Sequence, residues 1–295
     1  MKKLFLLVAS LCALHLPAET LQERYAQYGE VILTQLPSAP FPHPKRAEGR
    51  KYKDKIYTAE KNYSDSSVAI FVPNGFHPGK QVDFVVHFHG WNNHVEKVVE
   101  HYQLISQFAA SGRNAILVVP QGPYDASDSF GGKLEDEGGF KRFMTDVMAT
   151  LRKKQVIESQ SLGKIILSGH SGGYQAISSI VAVGGLTDDV KEVWPFDALY
   201  AQTPKFVNWQ QQTHGRLISL YTEHGGTKEE NENLMADLKS KNAPFMSKPE
   251  AELAAKELQK QPVIFIFSDL EHDSVVNQRS EFRTFLEASC LNAIK

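Results

Sequence analysis

The run Gly169-His170-Ser171-Gly172-Gly173 carries the strongest chemical signal in the sequence. An apolar, β-prone stretch from Ile165 to Leu167 leads into it, and a helix-prone stretch from Tyr174 to Val183 follows. A serine in a G-x-S-x-G turn between strand and helix is a candidate nucleophile, because the turn is sharp enough to lift its Oγ clear of the sheet. Such a turn strains the backbone at Ser171 and crowds strand against helix. The residues two before and two after must then be small, and Gly169 and Gly173 meet that need. At the start of the following helix, the Gly172 amide would face an oxyanion formed at Ser171.

A serine nucleophile needs a base, an acid to orient the base, and a second oxyanion donor. His272 stands in Glu271-His272-Asp273-Ser274, a short loop beyond the last β-prone run, residues 262–267. It is the expected base. In chain order the acid falls between serine and histidine, where Asp188, Asp189, Asp197 and Glu223 are candidates. Asp197 reads as the first residue of a strand over 197–201, at the wrong edge of a sheet, with Asp188 and Asp189 in the connection before it. Glu223 directly follows a strand over 217–221, at the right edge, and is the expected acid. Asp269 is a possible substitute or supporting partner. At the end of a strand over 82–88, His89-Gly90-Trp91 turns the chain. The Trp91 amide is the expected second oxyanion donor, and His89, Gly90, Trp91 and His170 are expected to face the substrate. His87-x-His89 with His94 and His101 suggests zinc, but no acidic residue is spaced to complete such a site. The site is expected to be metal-free.

These residues must be positioned by a regular scaffold. Strands are expected over 67–73, 82–88, 115–120, 165–169, 197–201, 217–221 and 262–267. Helices are expected over 21–36, 95–110, 138–151, 174–183 and 280–293, with a further helix-like stretch over 248–260. Alternation of the two implies a mostly parallel sheet covered on both faces, with active residues beyond the carboxyl ends of the strands. Pro40, Pro42 and Pro44 break the first helix, and residues 45–66 read as loop with an edge strand around Tyr57. The organisation expected is a signal peptide over 1–18, an N-terminal helix and extended segment over 19–66 packed on the core, and a catalytic domain over 67–295.

Composition sets the outer bounds. The 295 residues are 42% apolar and 22% charged, with a formal net charge of −2. That suits a globular chain with a sizeable core and leaves no basic excess for nucleic acid. Lys2 and Lys3, the apolar run from Leu4 to Leu16, and Pro17-Ala18 have the pattern of a cleaved secretory signal, too short for stable membrane insertion. Cleavage after Ala18 would take the charge to −4. Of the two cysteines, Cys12 would leave with the signal, so Cys290 would have no disulfide partner.

With these motifs in order over residues 67–290, the sequence resembles the α/β-hydrolase superfamily. Its flavour is that of secreted esterases such as feruloyl-esterase and polyhydroxybutyrate-depolymerase-like proteins. The resemblance implies a cofactor-free acyl-enzyme mechanism on a carboxylic ester. Ser171 would attack, His272 shuttle the proton, Glu223 hold the imidazolium, and the Trp91 and Gly172 amides hold the oxyanion. A short segment after the fifth strand, where many lipases carry a lid, implies an open site. A peptidase or amidase would use the same residues, and an inactive hydrolase-like binding protein is the alternative outside enzymes.

Overall fold

The structure, a computed structural model, describes residues 19–295. The expected signal peptide lies outside the described residues. In chain order the elements begin with α1 (Leu21–Tyr25), β1 (Gly29–Gln35), β2 (Arg50–Tyr52), β3 (Lys55–Tyr57), α2 (Ala59–Asn62), β4 (Ser67–Pro73) and β5 (Gln81–Phe88). There follow α3 (Val95–His101), α4 (Leu104–Ala110), β6 (Ile116–Pro120), α5 (Gly139–Lys153), β7 (Ser161–His170), α6 (Tyr174–Val183) and β8 (Val190–Phe196). The chain ends with α7 (Thr203–Thr213), β9 (Arg216–Thr222), α8 (Lys228–Ser240), β10 (Met246–Pro249), β11 (Val263–Ser268) and α9 (Glu281–Glu287).

Among the described residues the main sheet has nine strands in the order β1-β4-β6-β5-β7-β8-β9-β11-β10. β4 runs antiparallel to both its neighbours, and every other pairing is parallel. The alternation of a strand shows which face each side chain covers. On β5, Val82, Phe84 and Val86 point into one core and Val85 into the other. β7 repeats this with Ile165 and Leu167 against Ile166. The first core is closed by Phe140, Phe143 and Val147 of α5, Ile177 of α6 and Trp209 of α7. The second is closed by Val95 and Val98 of α3, Phe108 of α4 and Phe282 of α9. Both faces being buried explains why the parallel strands read as continuous apolar runs.

Several expectations are corrected. Residues 21–36 are a five-residue helix and then a strand: Val31-Ile32-Leu33-Thr34 is a mostly β-branched run, and pairing with β4 overrides the helical spacing. The 95–110 helix is broken in two where Gln103 takes φ 51°. The fifth core strand is β8, over 190–196, and residues 197–201 follow it as loop. Helical structure within 224–261 falls mainly at α8, earlier than expected, and β10 adds an edge strand beside β11. The last helix is shorter than expected.

The segment over 40–66 wraps one end of the sheet. β2 and β3 form a small hairpin, with an apolar cluster of Phe41, Tyr57, Tyr63, Ala126 and Phe130 beneath it. Asp128, buried in the loop after β6, accepts from Arg46 Nε at 2.7 Å and Tyr63 Oη at 3.1 Å and pairs with Arg50. That acid therefore ties the N-terminal segment down and is not presented to a ligand. No helix among the described residues is long and apolar enough to cross a membrane.

Candidate active site

β7 ends at His170, and Ser171 follows in a left-handed conformation with φ 52°. Non-glycine residues seldom adopt that conformation, so the turn stores strain that projects the hydroxyl beyond the strand. The flanking glycines are required by space. A Cβ on Gly169 would stand 2.7 Å from Ile177 Cδ1, and one on Gly173 would stand 2.6 Å from the Phe88 carbonyl oxygen. Ser171 lies where two cavities meet, of about 430 and 220 Å³, with Trp91 lining both.

His272 begins a short 3₁₀ turn after β11 and shares the larger cavity with Ser171. Its Nδ1 lies 2.7 Å from Asp197 Oδ2. Nδ1 therefore carries the proton that is donated to the carboxylate, which leaves Nε2 without one. The carboxylate bonded to His272 is thus Asp197, not Glu223. Asp197 is wholly buried, whereas the Glu223 side chain is 47% exposed and its two oxygens each sit 2.8 Å from Lys228 Nζ. Asp269 is likewise turned outward, paired with Arg279 at 2.8 Å.

The misplacement of the acid has a specific cause. β8 is Val-Lys-Glu-Val-Trp-Pro-Phe, and its proline and two charges argue against a central strand. Pro195 is tolerated close to the strand's end, opposite Gly169. Moving the strand to 190–196 takes Asp197 from the amino edge of the sheet to the carboxyl edge. The alternation of Val193 with the aromatic pair Trp194 and Phe196 was the signal available in the sequence.

Asp197 is held as an anion by its surroundings. Thr222 Oγ1 donates to Oδ2 at 2.6 Å, and Thr227 Oγ1 donates to Oδ1. Burial alone would raise its pKa, but the hydrogen bonds from His272, Thr222 and Thr227 outweigh burial and leave it below the ordinary carboxylate range. The end of β9 and the loop after it, where the acid is expected from the sequence, supply these two threonines.

The loop after β5 supplies the oxyanion side. Gly90 packs directly on the nucleophile: a Cβ there would stand 2.6 Å from Ser171 Cβ. The Trp91 amide donates to no protein acceptor among the described residues. Gly172 sits in the first turn leading into α6, where backbone amides lack intrahelical acceptors. The two expected donors stand close together beside Ser171: a Cβ on Gly172 would lie 2.7 Å from Trp91 Cδ1. Trp91 is 37% exposed, its indole Nε1 donating to Ser129 Oγ at 2.7 Å and its ring edge-on to Tyr52 of the hairpin.

Two of the expected substrate-facing histidines serve as braces. His89 Nδ1 donates to the Gly90 carbonyl oxygen at 2.8 Å, while Nε2 accepts from the Gly122 amide at 2.9 Å and from Gln121 at 3.1 Å. This pins the loop bearing Gly90 and Trp91 to the strand end at β6. His170 lines the larger cavity with its ring, but both nitrogens are committed. Nε2 donates to the His272 carbonyl oxygen at 2.9 Å, and Nδ1 accepts from Tyr102 Oη at 2.9 Å. Burial lowers the pKa of His89 and of His170 to about 4, so both rings are neutral near pH 7. Tyr200, at the mouth of the smaller cavity, donates to the Gly225 carbonyl oxygen at 2.6 Å, and burial pushes its hydroxyl up to about 12.

His87 and His89 do not come together as ligands. His87 bonds Ser168 Oγ at 3.0 Å inside the core, and His94 bonds Asp125 at 3.0 Å. Among the described residues, the one grouping of metal-ligand type is His170, His272 and Asp273, within 4.8 Å of one another. Three of its four imidazole nitrogens are already engaged by protein groups.

No protein-family model matches the sequence, and no curated protein matches it. Solved structures do. The fluorophosphonate-binding serine hydrolase F of Staphylococcus aureus aligns at 10% identity over 89% of this chain and 99% of its own, with a TM-score of 0.51. A variant of the feruloyl esterase module from Clostridium thermocellum, in complex with sinapinate, aligns at 11% identity over 89% of this chain and 88% of its own, with a TM-score of 0.52. A ferulic acid esterase aligns at 12% identity over 88% and 99%, with a TM-score of 0.52.

Proposed function

The chain has the α/β-hydrolase fold, and from that premise we propose that it is an exported serine hydrolase acting on carboxylic esters. The observation that carries the reading is the 2.7 Å bond from buried Asp197 to Nδ1 of His272, whose ring lines the same cavity as the strained Ser171. His272 Nε2 takes the Ser171 proton as Oγ adds to the ester carbonyl, and the negative charge on the carbonyl oxygen is met by the Trp91 and Gly172 amides. Collapse of the adduct breaks the bond to the alcohol oxygen, which receives the proton from His272. Water, deprotonated by the same nitrogen, then releases the acid and restores Ser171. Asp197 keeps its negative charge throughout and stabilises the imidazolium.

The test is labelling by a fluorophosphonate probe together with hydrolysis of acyl esters graded in chain length, alongside peptide substrates. Ser171→Ala is expected to abolish both labelling and ester hydrolysis while the circular dichroism spectrum is kept. Persistent labelling of that variant, or cleavage of peptides in preference to esters, overturns the assignment. Export rests on the pattern of Lys2, Lys3 and the apolar run that follows. Protein recovered from outside the cytoplasm is expected to begin near Glu19 by N-terminal sequencing, and recovery with Met1 intact would contradict it.

A further inference from the structure

The direction of proton transfer assigns the two cavities at Ser171. His272 must hand its proton to the departing oxygen, so the leaving group lies on the His272 side, in the cavity of about 430 Å³. The acyl group then lies in the cavity of about 220 Å³, beside Gly172, Tyr174 and Tyr200.

An amine and a carboxylate line the leaving-group cavity, those of Lys97 and Asp273. They are not equivalent. Lys97 Nζ donates to the Asn92 carbonyl oxygen at 2.9 Å and so bridges the loop after β5 to α3. The Asp273 carboxylate makes no hydrogen bond or ion pair with any described residue. It is exposed at the cavity, with an oxygen within 4.8 Å of a ring nitrogen of His170 and of His272. Its charge adds to burial in raising the hydroxyls of Tyr102 and Tyr200, and it works against the larger effect of burial that lowers His170. The backbone beneath it is fixed, because the Asp273 carbonyl oxygen accepts from His101 Nε2 at 3.2 Å. Tyr102 and the partly exposed Trp91 add aromatic walls, which favour a cation over an anion.

Building on the reading of the site as an ester hydrolase, we propose that Asp273 recognises a cationic leaving group, an amino alcohol esterified through its hydroxyl. A carboxylate so close to His272 meets a positive charge carried two or three bonds from the scissile oxygen, and it repels anionic alcohols from the same place. The acyl part is limited by the smaller aromatic cavity, so short acyl esters of amino alcohols are the substrate class.

Acetylcholine and 3,3-dimethylbutyl acetate form a test pair of matched shape that differs in charge. The wild type is expected to favour acetylcholine in kcat/KM. Asp273→Asn is expected to lower the ratio of the two kcat/KM values by about 10-fold, and Asp273→Glu to retain most of it. An unchanged ratio in Asp273→Asn overturns the proposal. Choline itself gives a readout independent of turnover: calorimetry is expected to detect its binding to the wild type and a weakening of about 10-fold in Asp273→Asn. No binding to the wild type, or equal affinity in both, also overturns it. Asp273-dependent choline binding with no hydrolysis of either ester would instead overturn the ester-hydrolase reading and leave the cation site standing.

Discussion

At the scale of single residues, the site rests on one strained serine and one buried carboxylate. Ser171 was legible because a G-x-S-x-G turn can be recognised from its immediate neighbours, and its φ of 52° is the local consequence. Asp197 was not legible because its role depends on where a strand ends, and an error of one element reverses the edge on which it stands. The consequence is measurable in turnover. Asp197→Asn is expected to reduce kcat on the order of 10²–10⁴-fold, since an amide there favours the wrong imidazole tautomer. Glu223→Gln removes only an exposed pair with Lys228 and is expected to leave kcat within about twofold of the wild type. Steady-state kinetics on one ester substrate distinguishes the two, and the reverse result would return the acid to Glu223.

At the scale of elements, four strand ends carry the residues of the proposed mechanism: β5 the loop of Gly90 and Trp91, β7 Ser171, β8 Asp197 and β11 His272. What keeps these loops in register is a layer of buried histidines. His89 holds the loop after β5 against β6, and His170 holds the turn after β11 against the nucleophile's own strand. The contact of Gly90 with Ser171 is a tight point of this arrangement that a side chain can probe. Gly90→Ala places a methyl 2.6 Å from Ser171 Cβ, so loop and nucleophile must move apart. Displacements of this kind cost about 100-fold in rate even where the fold survives. The expected result is a kcat lower by about that factor with a thermal midpoint close to that of the wild type. An Ala variant of normal rate would show that the loop is free to yield.

At the scale of the whole molecule, the buried histidines link stability to pH. Burial lowers the pKa of His87 to about 3, and of His89 and His170 to about 4. In the unfolded chain each takes up a proton near its ordinary value of about 6.5. Between these limits the unfolded state binds more protons, so stability is fully present above about pH 6.5 and is lost as pH falls toward 4. Glu281 acts in the opposite sense: its burial raises the carboxyl pKa to about 7, and it contributes stability that fades as pH rises from about 4.5 toward that value. Glu135 and Asp83, also raised by burial, act in the sense of Glu281, and Asp197, lowered by its hydrogen bonds, acts with the three histidines. Chemical denaturation followed at pH 7, 6 and 5 is expected to show a steep fall in unfolding free energy toward acid. His89→Gln should flatten it if the protein still folds, and a stability independent of pH across that range would contradict the burial assigned to these rings.

The sequence alone determined what is encoded locally. The apolar runs of β5, β6, β7, β9 and β11 reveal themselves because strands buried on both faces need no alternation, and the nucleophile's turn because small residues must flank it. His272 was found from its place after the last of these runs. The tertiary structure decided whatever depends on partners distant in the chain. Residues 29–35 carry a spacing compatible with a helix and become a strand because β4 offers an open edge. β8 contains a proline and two charges, and is accepted centrally because β7 and β9 pair with it and Arg216 neutralises buried Glu192 at 2.6 Å. Asp197 gains its function from Thr222, Thr227 and His272, which lie 25, 30 and 75 residues further along. A carboxylate becomes the orienting acid through the donors that gather around it, and those donors are brought together only when the sheet closes.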